Sequence, residues 1–191
     1  MAGSYNAVAD SDGVMHYIYA QLEPMSCALA CMFMIENEVE QMTHAEGEGG
    51  IKQVSGAHPG SLLASQLTGD NGGLGWGTTV ANAAKTFADL GVQLTKVDSF
   101  DPTGAKYGFK WDKPRIRDSK PALILIGWYQ YSKGKLTRNG GHFIVAARIA
   151  KSNAVVVLDP LLGTLHELHG HKGVYLNHGL FGKIEFILYT G

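Results

Sequence analysis

Cysteine is scarce in this chain. Two in 191 residues, Cys27 and Cys31, are too few for the disulfide framework of a small secreted domain. An excess of one charge is missing as well. Sixteen Lys and Arg face 17 Asp and Glu, a formal net charge of -1, which gives no reason to expect nucleic acid or an anionic membrane as a partner. No apolar run has the length that crosses a bilayer. The opening MAGSYNAVADSDG lacks the basic start and apolar core of a signal peptide. The expectation is a soluble protein, cytoplasmic as synthesised; export by a signal-peptide-independent route would leave the same blank. Internal repeats, low-complexity tails and linkers are absent too.

What is present is a globular composition, 45% hydrophobic and 17% charged, in a chain long enough to bury a core without staples. One domain over residues 1–191 is the expectation. The stretch QLEPMSCALACMFMIE (21–36) reads as an irregular approach to a helix, with Ser26 as N-cap and helix formers from Cys27 to about residue 39. Residues 44–77 are loop-rich, with GEGG, GAHPG and TGDNGGLGWG marking turns and one short helix near 61–67. TTVANAAKTFADLGV reads as a second helix, capped at Thr78 or Thr79 and ended by Gly91. Then the character changes. ALILIGWYQY (122–131), HFIVAARI (142–149), AVVVLD (154–159) and KIEFILYT (183–190) are strand candidates, and VQLTKV (92–97) adds a fifth. Short connections imply an antiparallel sheet, and helices followed by sheet imply an α+β fold.

The two cysteines are not equivalent. A helical cysteine is commonly inert core, and a disulfide between residues four apart on one helix has poor geometry. Cys27, however, stands in the first helical turn, where unpaired N–H groups and the helix dipole stabilise a thiolate. Cys31 lies a turn deeper, where apolar neighbours would raise its pKa. If either reacts, it is Cys27. A thiolate needs a base, an orienting group and oxyanion donors. Gln21, six residues upstream, could turn its amide back toward Cys27 and form a two-donor hole with the Cys27 N–H. Among eight histidines, His142 differs: it heads an apolar strand, with Gly140 and Gly141 leaving room beside it. The next strand ends in Asp159-Pro160. An even-length AKSN connection would put His142 and Asp159 on one sheet face; an odd one would separate them. Asp-Pro is also an ordinary turn signal, and HELHGHK (166–172) reads more simply as a polar surface loop than as zinc ligands.

Gln, five residues, then Cys at a helix start; later Gly-His before an apolar strand; then Asp-Pro closing the next strand. Together these blocks resemble the papain-like cysteine peptidases, in particular the bacteriocin-processing (double-glycine leader) branch. The likeness covers residues 21–35 and 141–163; Ser26 and Ala28 stand where that branch usually has Asp or Asn and Gly. The resemblance implies a papain-like α+β fold with the cysteine helix on an antiparallel sheet. It also implies a peptidase with Cys27 as nucleophile, His142 as base and acid, Asp159 as its orienter and Gln21 as oxyanion donor. No cofactor or metal is expected. The expected partner is a peptide or protein substrate, with an inhibitor, immunity or activating protein as a further candidate. A glutamine deamidase, amidase or transglutaminase-like effector or toxin would use the same triad, because fold and triad do not fix the substrate. A silent binding module and a metal site built from Cys27, Cys31 and residues 166–171 are the remaining alternatives. Residues 72–77, with Trp76, are a candidate cleft wall, though a plain glycine-rich turn explains them as well.

Overall fold

The computed structural model describes residues 5–21, 26–41, 80–89, 93–99, 113–169, 174–177 and 180–191. The expected short helix at 61–67, the Thr78/Thr79 cap, Gly91, the candidate cleft wall, His44, His58, His171 and His178 lie outside them. Strands β1 (Tyr5–Ala9) and β2 (Met15–Tyr19) form an antiparallel hairpin ahead of helix α1 (Cys27–Glu40). Helix α2 (Val80–Asp89) and strand β3 (Leu94–Ser99) follow, then a short 3-10 turn at Lys113–Arg115. The remaining strands are β4 (Ala122–Ser132), β5 (Lys135–Ile149), β6 (Val155–Asp159), β7 (Thr164–Leu168), β8 (Val174–Asn177) and β9 (Leu180–Thr190). They join β3 in a seven-stranded sheet ordered β3-β9-β4-β5-β6-β7, with β8 on β9, antiparallel at every pairing. The α+β class is as expected. The order is not purely helix then sheet, because the hairpin comes first, and residues 164–168 are a strand where the sequence suggests a polar loop.

Helix α1 is buried from Ala28 through Asn37, apolar almost all round, as a helix covered on more than one side must be. It packs on β5 and β4 on one side and on β2 on the other. Tyr19 of β2 meets Phe33 edge-to-face at 4.8 Å. Ala83 and Phe87, four apart on α2, add to the same core. Ser26 occupies the N-cap position, but its side chain makes no capping bond. A second core lies across the sheet, where Ile124, Ile126, Ile144, Ala146 and Val157 pack with Ile116, and Arg115 lies 4.3 Å from the Tyr189 ring. The central strands are therefore buried on both faces, which is why they read as continuous apolar runs rather than alternating ones.

The β5–β6 connection decides the relation between His142 and Asp159. Ile149 pairs with Val155, Ala150 N–H donates to Ala154 O at 2.9 Å, Asn153 N–H donates to Ala150 O at 2.8 Å, and Asn153 is left-handed at φ 65°. This is a three-residue hairpin loop, so the connection is odd, not even. Parity is restored by a bulge. The register shifts between Ala146 and Arg148, making Ala147 one extra residue on β5. Beyond the bulge Val145 pairs with Leu158, so Asp159 projects on the face of Ile144 and His142.

A charged cluster clamps the hairpin to the rest. His16, 1% exposed, contacts Glu38 of α1 (Nδ1–Oε1 2.8 Å) and Asp10 (Nε2–Oδ2 3.4 Å). Asp10 is also bonded to Arg148 of β5. Burial works against the His16 charge, but the Glu38 and Asp10 bonds and charges outweigh it and hold the imidazole above its ordinary 6.5. A raised native pKa stabilises the fold fully below about pH 6.5 and loses that contribution as pH rises through the native value. The stability difference between wild type and His16→Gln, measured by urea unfolding, should therefore be largest near about pH 6 and shrink toward about pH 10.

Candidate active site

Asp159 sits at the end of β6 with no solvent exposure, and His142, 4% exposed, lies near it on β5. Asp159 Oδ1 is 2.7 Å from His142 Nε2 and also accepts the Leu161 N–H at 2.8 Å. The turn-forming and histidine-orienting readings of Asp-Pro thus describe one oxygen atom doing both. With Nε2 committed to Asp159, Nδ1 is the imidazole nitrogen left for the thiol. Cys27 lies close enough to His142 to raise its proton affinity. The β5–β6 ladder stops at Val145 and Leu158, so at His142 β5 is paired with β4 on one edge (Ile126 with His142) and has no partner on its β6 edge among the described residues.

Burial opposes a charge on His142, yet the Asp159 and Cys27 hydrogen bonds and their negative charges prevail, and its pKa is pushed up to about 9. At neutral pH the imidazole is therefore protonated, a proton donor lying between a carboxylate and a sulfur. Cys31 is the opposite case. Complete burial, then the charges of Cys27 and Asp159, push its thiol well above the ordinary 9.0, so it behaves as core. Cys27 is only half-buried and Cys31 fully so, which is the asymmetry expected of a first-turn and a second-turn position. Both thiols are free.

Gln21 arrives at the same corner through its backbone. Its N–H donates to Pro160 O at 2.8 Å, which fastens it beside the Asp159 turn, and its side-chain Oε1 is buried. The hairpin that precedes it is itself tied to that turn. Ser11 N–H and Oγ bond the Glu167 carboxylate at 2.7 and 2.9 Å. Gly163, left-handed at φ 64°, leaves no room for a Cβ beside Asn6 and Ala20. The structure thus pairs His142 of β5 with Asp159 of β6 and fastens the Gln21 backbone to the residue after Asp159.

Trp128 is the member that sequence reasoning missed. Its ring stacks on His142 at 6.0 Å between centroids and 19° between planes. A Cβ at Gly182 would come within 2.5 Å of Ile126 Cγ2 and 2.8 Å of Trp128 Cζ3. Glycine at 182 therefore makes the space in which the indole lies. A glycine inside an apolar strand is the signal that could have found it, since it marks a close approach. Gly140 does leave open space beside His142 and has φ 101°, a backbone that only glycine adopts readily. His166 bonds Thr164 Oγ1 at 3.0 Å, and among the described residues no three His, Cys, Asp or Glu groups gather as a metal site. No helix there is long and apolar enough to cross a membrane.

The sequence matches no protein-family model, and no curated protein matches it. The geometry has to carry the reading. Two outcomes follow. Iodoacetamide at neutral pH should label Cys27 and leave Cys31 untouched in the folded protein, as mass spectrometry of the digested peptides would report. Labelling should vanish in Cys27→Ala and persist in Cys31→Ala. In Asp159→Asn, the imidazole of His142, followed by NMR titration, should fall from about 9 by about one unit or more.

Proposed function

We propose that the protein is a papain-like thiol hydrolase, a cysteine peptidase that cleaves a peptide bond through a thioester. The observation that carries this reading is the buried His142–Asp159 pair through Nε2, with Cys27 at a helix start acting on the same imidazole. A protonated histidine has two N–H donors; that Asp159 takes one and a half-buried cysteine at a helix start lies near the ring supports nucleophilic chemistry.

The steps follow from the charges. Cys27 attacks as the thiolate, the nucleophilic form of a cysteine, and the first proton given to the substrate comes from the His142 imidazolium. Cys27 sulfur bonds to the carbonyl carbon and the C=O π pair becomes an oxyanion. The Gln21 amide and the Cys27 N–H, which a helix start leaves without an intrahelical acceptor, would hold that oxyanion. The C–N bond then breaks as the imidazolium gives its proton to the departing amine. Water adds to the thioester, passing a proton to His142, and collapse expels the thiolate and a carboxylic acid. Asp159 keeps the ring in the orientation that offers Nδ1 to the sulfur. Trp128 covers one ring face and limits water near the ion pair, which strengthens it. An inhibitor, immunity or activating protein would act by covering this corner.

The test is hydrolysis of a degenerate peptide mixture, with ammonia release measured in parallel. Peptide cleavage that Cys27→Ala abolishes supports the peptidase; ammonia without cleavage would move the reading to a glutamine deamidase using the same residues. Gln21→Ala should lower kcat by about 10²–10³ with little change in KM, the usual cost of one oxyanion donor. Absence of any Cys27-dependent turnover would overturn the proposal.

A further inference from the structure

Two bulges face each other across β4, close to His142. On β5, Gly141 pairs with Gly127 but Arg138 pairs with Tyr129, so β5 carries one extra residue between them. On β9, Phe186 pairs with Leu125 and Ile184 with Ile126, which leaves Glu185 as an extra residue. Bulges of this kind re-aim side chains, and these two aim Arg138 and Glu185 at each other. Glu185, 4% exposed, lies over Gly127, where its carboxylate occupies the space a Cβ would need. It accepts from Tyr129 Oη at 2.7 Å, Arg138 Nε at 2.8 Å and Arg138 Nη2 at 2.9 Å. Burial, then the Glu185 bond, pushes the Tyr129 hydroxyl up, so it stays a donor. The guanidinium is thereby locked along one edge.

Its other edge is open. The Arg138 side chain is 45% exposed although its partner is buried, and the hydrogen bonds it makes use Nε and Nη2. Nη2 lies 2.8 Å from where a Cβ of Gly141 would stand, with Leu125 Cδ1 also near that position, at 3.3 Å. Leu125 belongs to the core that α1 covers, and Cys27 packs against the same core. The guanidinium is thus next to the residue that precedes His142, on the face of the sheet that α1 covers, whereas the His142 side chain projects from the other face with Ile144. A pair serving only to staple β4, β5 and β9 would not need half of its cation in solvent.

We propose that Arg138 is a specificity-determining residue whose outward guanidinium edge receives a carboxylate of the substrate, an acidic side chain or a chain terminus beside the reacting carbonyl. This rests on the thiol-hydrolase reading above. Glu185 and Tyr129 position it, and Gly127 and Gly141 make the space. A guanidinium held this way loses little freedom on binding a carboxylate, and its planar fork matches that anion.

Two alkylators of similar size and opposite character test this without a known substrate: anionic iodoacetate and neutral iodoacetamide, each reacting with Cys27 at low ionic strength. In Arg138→Gln the iodoacetate-to-iodoacetamide rate ratio should fall about three- to ten-fold, as expected when one attractive charge is removed at an ionic strength too low to screen it. The iodoacetamide rate should fall less than the iodoacetate rate. Arg138→Lys, which keeps the charge, should retain most of the ratio. Glu185→Gln, an independent variant that removes the opposing charge, should raise it. An unchanged ratio in Arg138→Gln, or equal loss of both rates that Arg138→Lys does not rescue, would overturn the proposal and leave the pair a structural staple. Slow labelling of Cys27 by both reagents in the wild type would instead overturn the thiol-hydrolase reading, and this proposal with it.

Discussion

The side on which β5 presents His142 depends on one residue, Ala147. The three-residue loop after β5 would by itself put His142 and Asp159 on opposite faces of the sheet. The bulge at Ala147 inserts one residue between that loop and the histidine, and a side-chain period of two makes a one-residue shift a change of face. The 2.7 Å contact between His142 and Asp159 exists because these two irregularities cancel. Everything proposed for the site rests on that cancellation.

Around it, the architecture solves a second problem, which is to bring a helix start to a sheet. Helix α1 is enclosed by the sheet on one side and by the N-terminal hairpin on the other. Enclosure accounts for its apolar sequence and for the inert environment of Cys31. The two ends of α1 escape: Cys27 is half-buried at the start, and Glu40 is exposed at the end. The hairpin has a second role. Ser11 ties it to Glu167 of β7, Asn6 lies against Gly163 in the turn after Asp159, and the Gln21 backbone that follows the hairpin bonds Pro160 of the same turn. The His16 cluster fixes the far end of that clamp to the last turns of α1 and to β5.

The electrostatics divide along the same lines. His142 lies between Asp159 and the Cys27 sulfur, and the anions win over burial. His16 is held between two carboxylates with the same outcome. Yet only His142 has a half-exposed nucleophile as a partner, whereas His16 bonds Glu38 and Asp10 alone. A charged buried histidine is thus not in itself a site; the chemical character of its second partner separates a clamp from a reactive pair.

Much of this was legible in the sequence, and the reasons are physical. The apolar runs of β4, β5, β6 and β9, the start of α1 at Cys27 and the unequal environments of the two cysteines follow from local composition and from a position within one helix turn. Cys27 at a helix start and Asp159 at a strand end were legible for the same reason, whereas His142 lies inside β5, which begins at Lys135, and not at its head. The hairpin β1–β2 was not legible, since its strands are short and their exposed faces carry Met15 and Tyr17 among polar residues without a clean alternation. Trp128 over His142 and Glu185 beneath Arg138 were invisible because cross-strand neighbours depend on register, and bulges reset register at positions where nothing local marks the extra residue. The sequence alone determined which residues could react and which elements would carry them. Only the tertiary structure decided which face each one occupies, because that depends on the summed parity of a loop and a bulge in two paired strands.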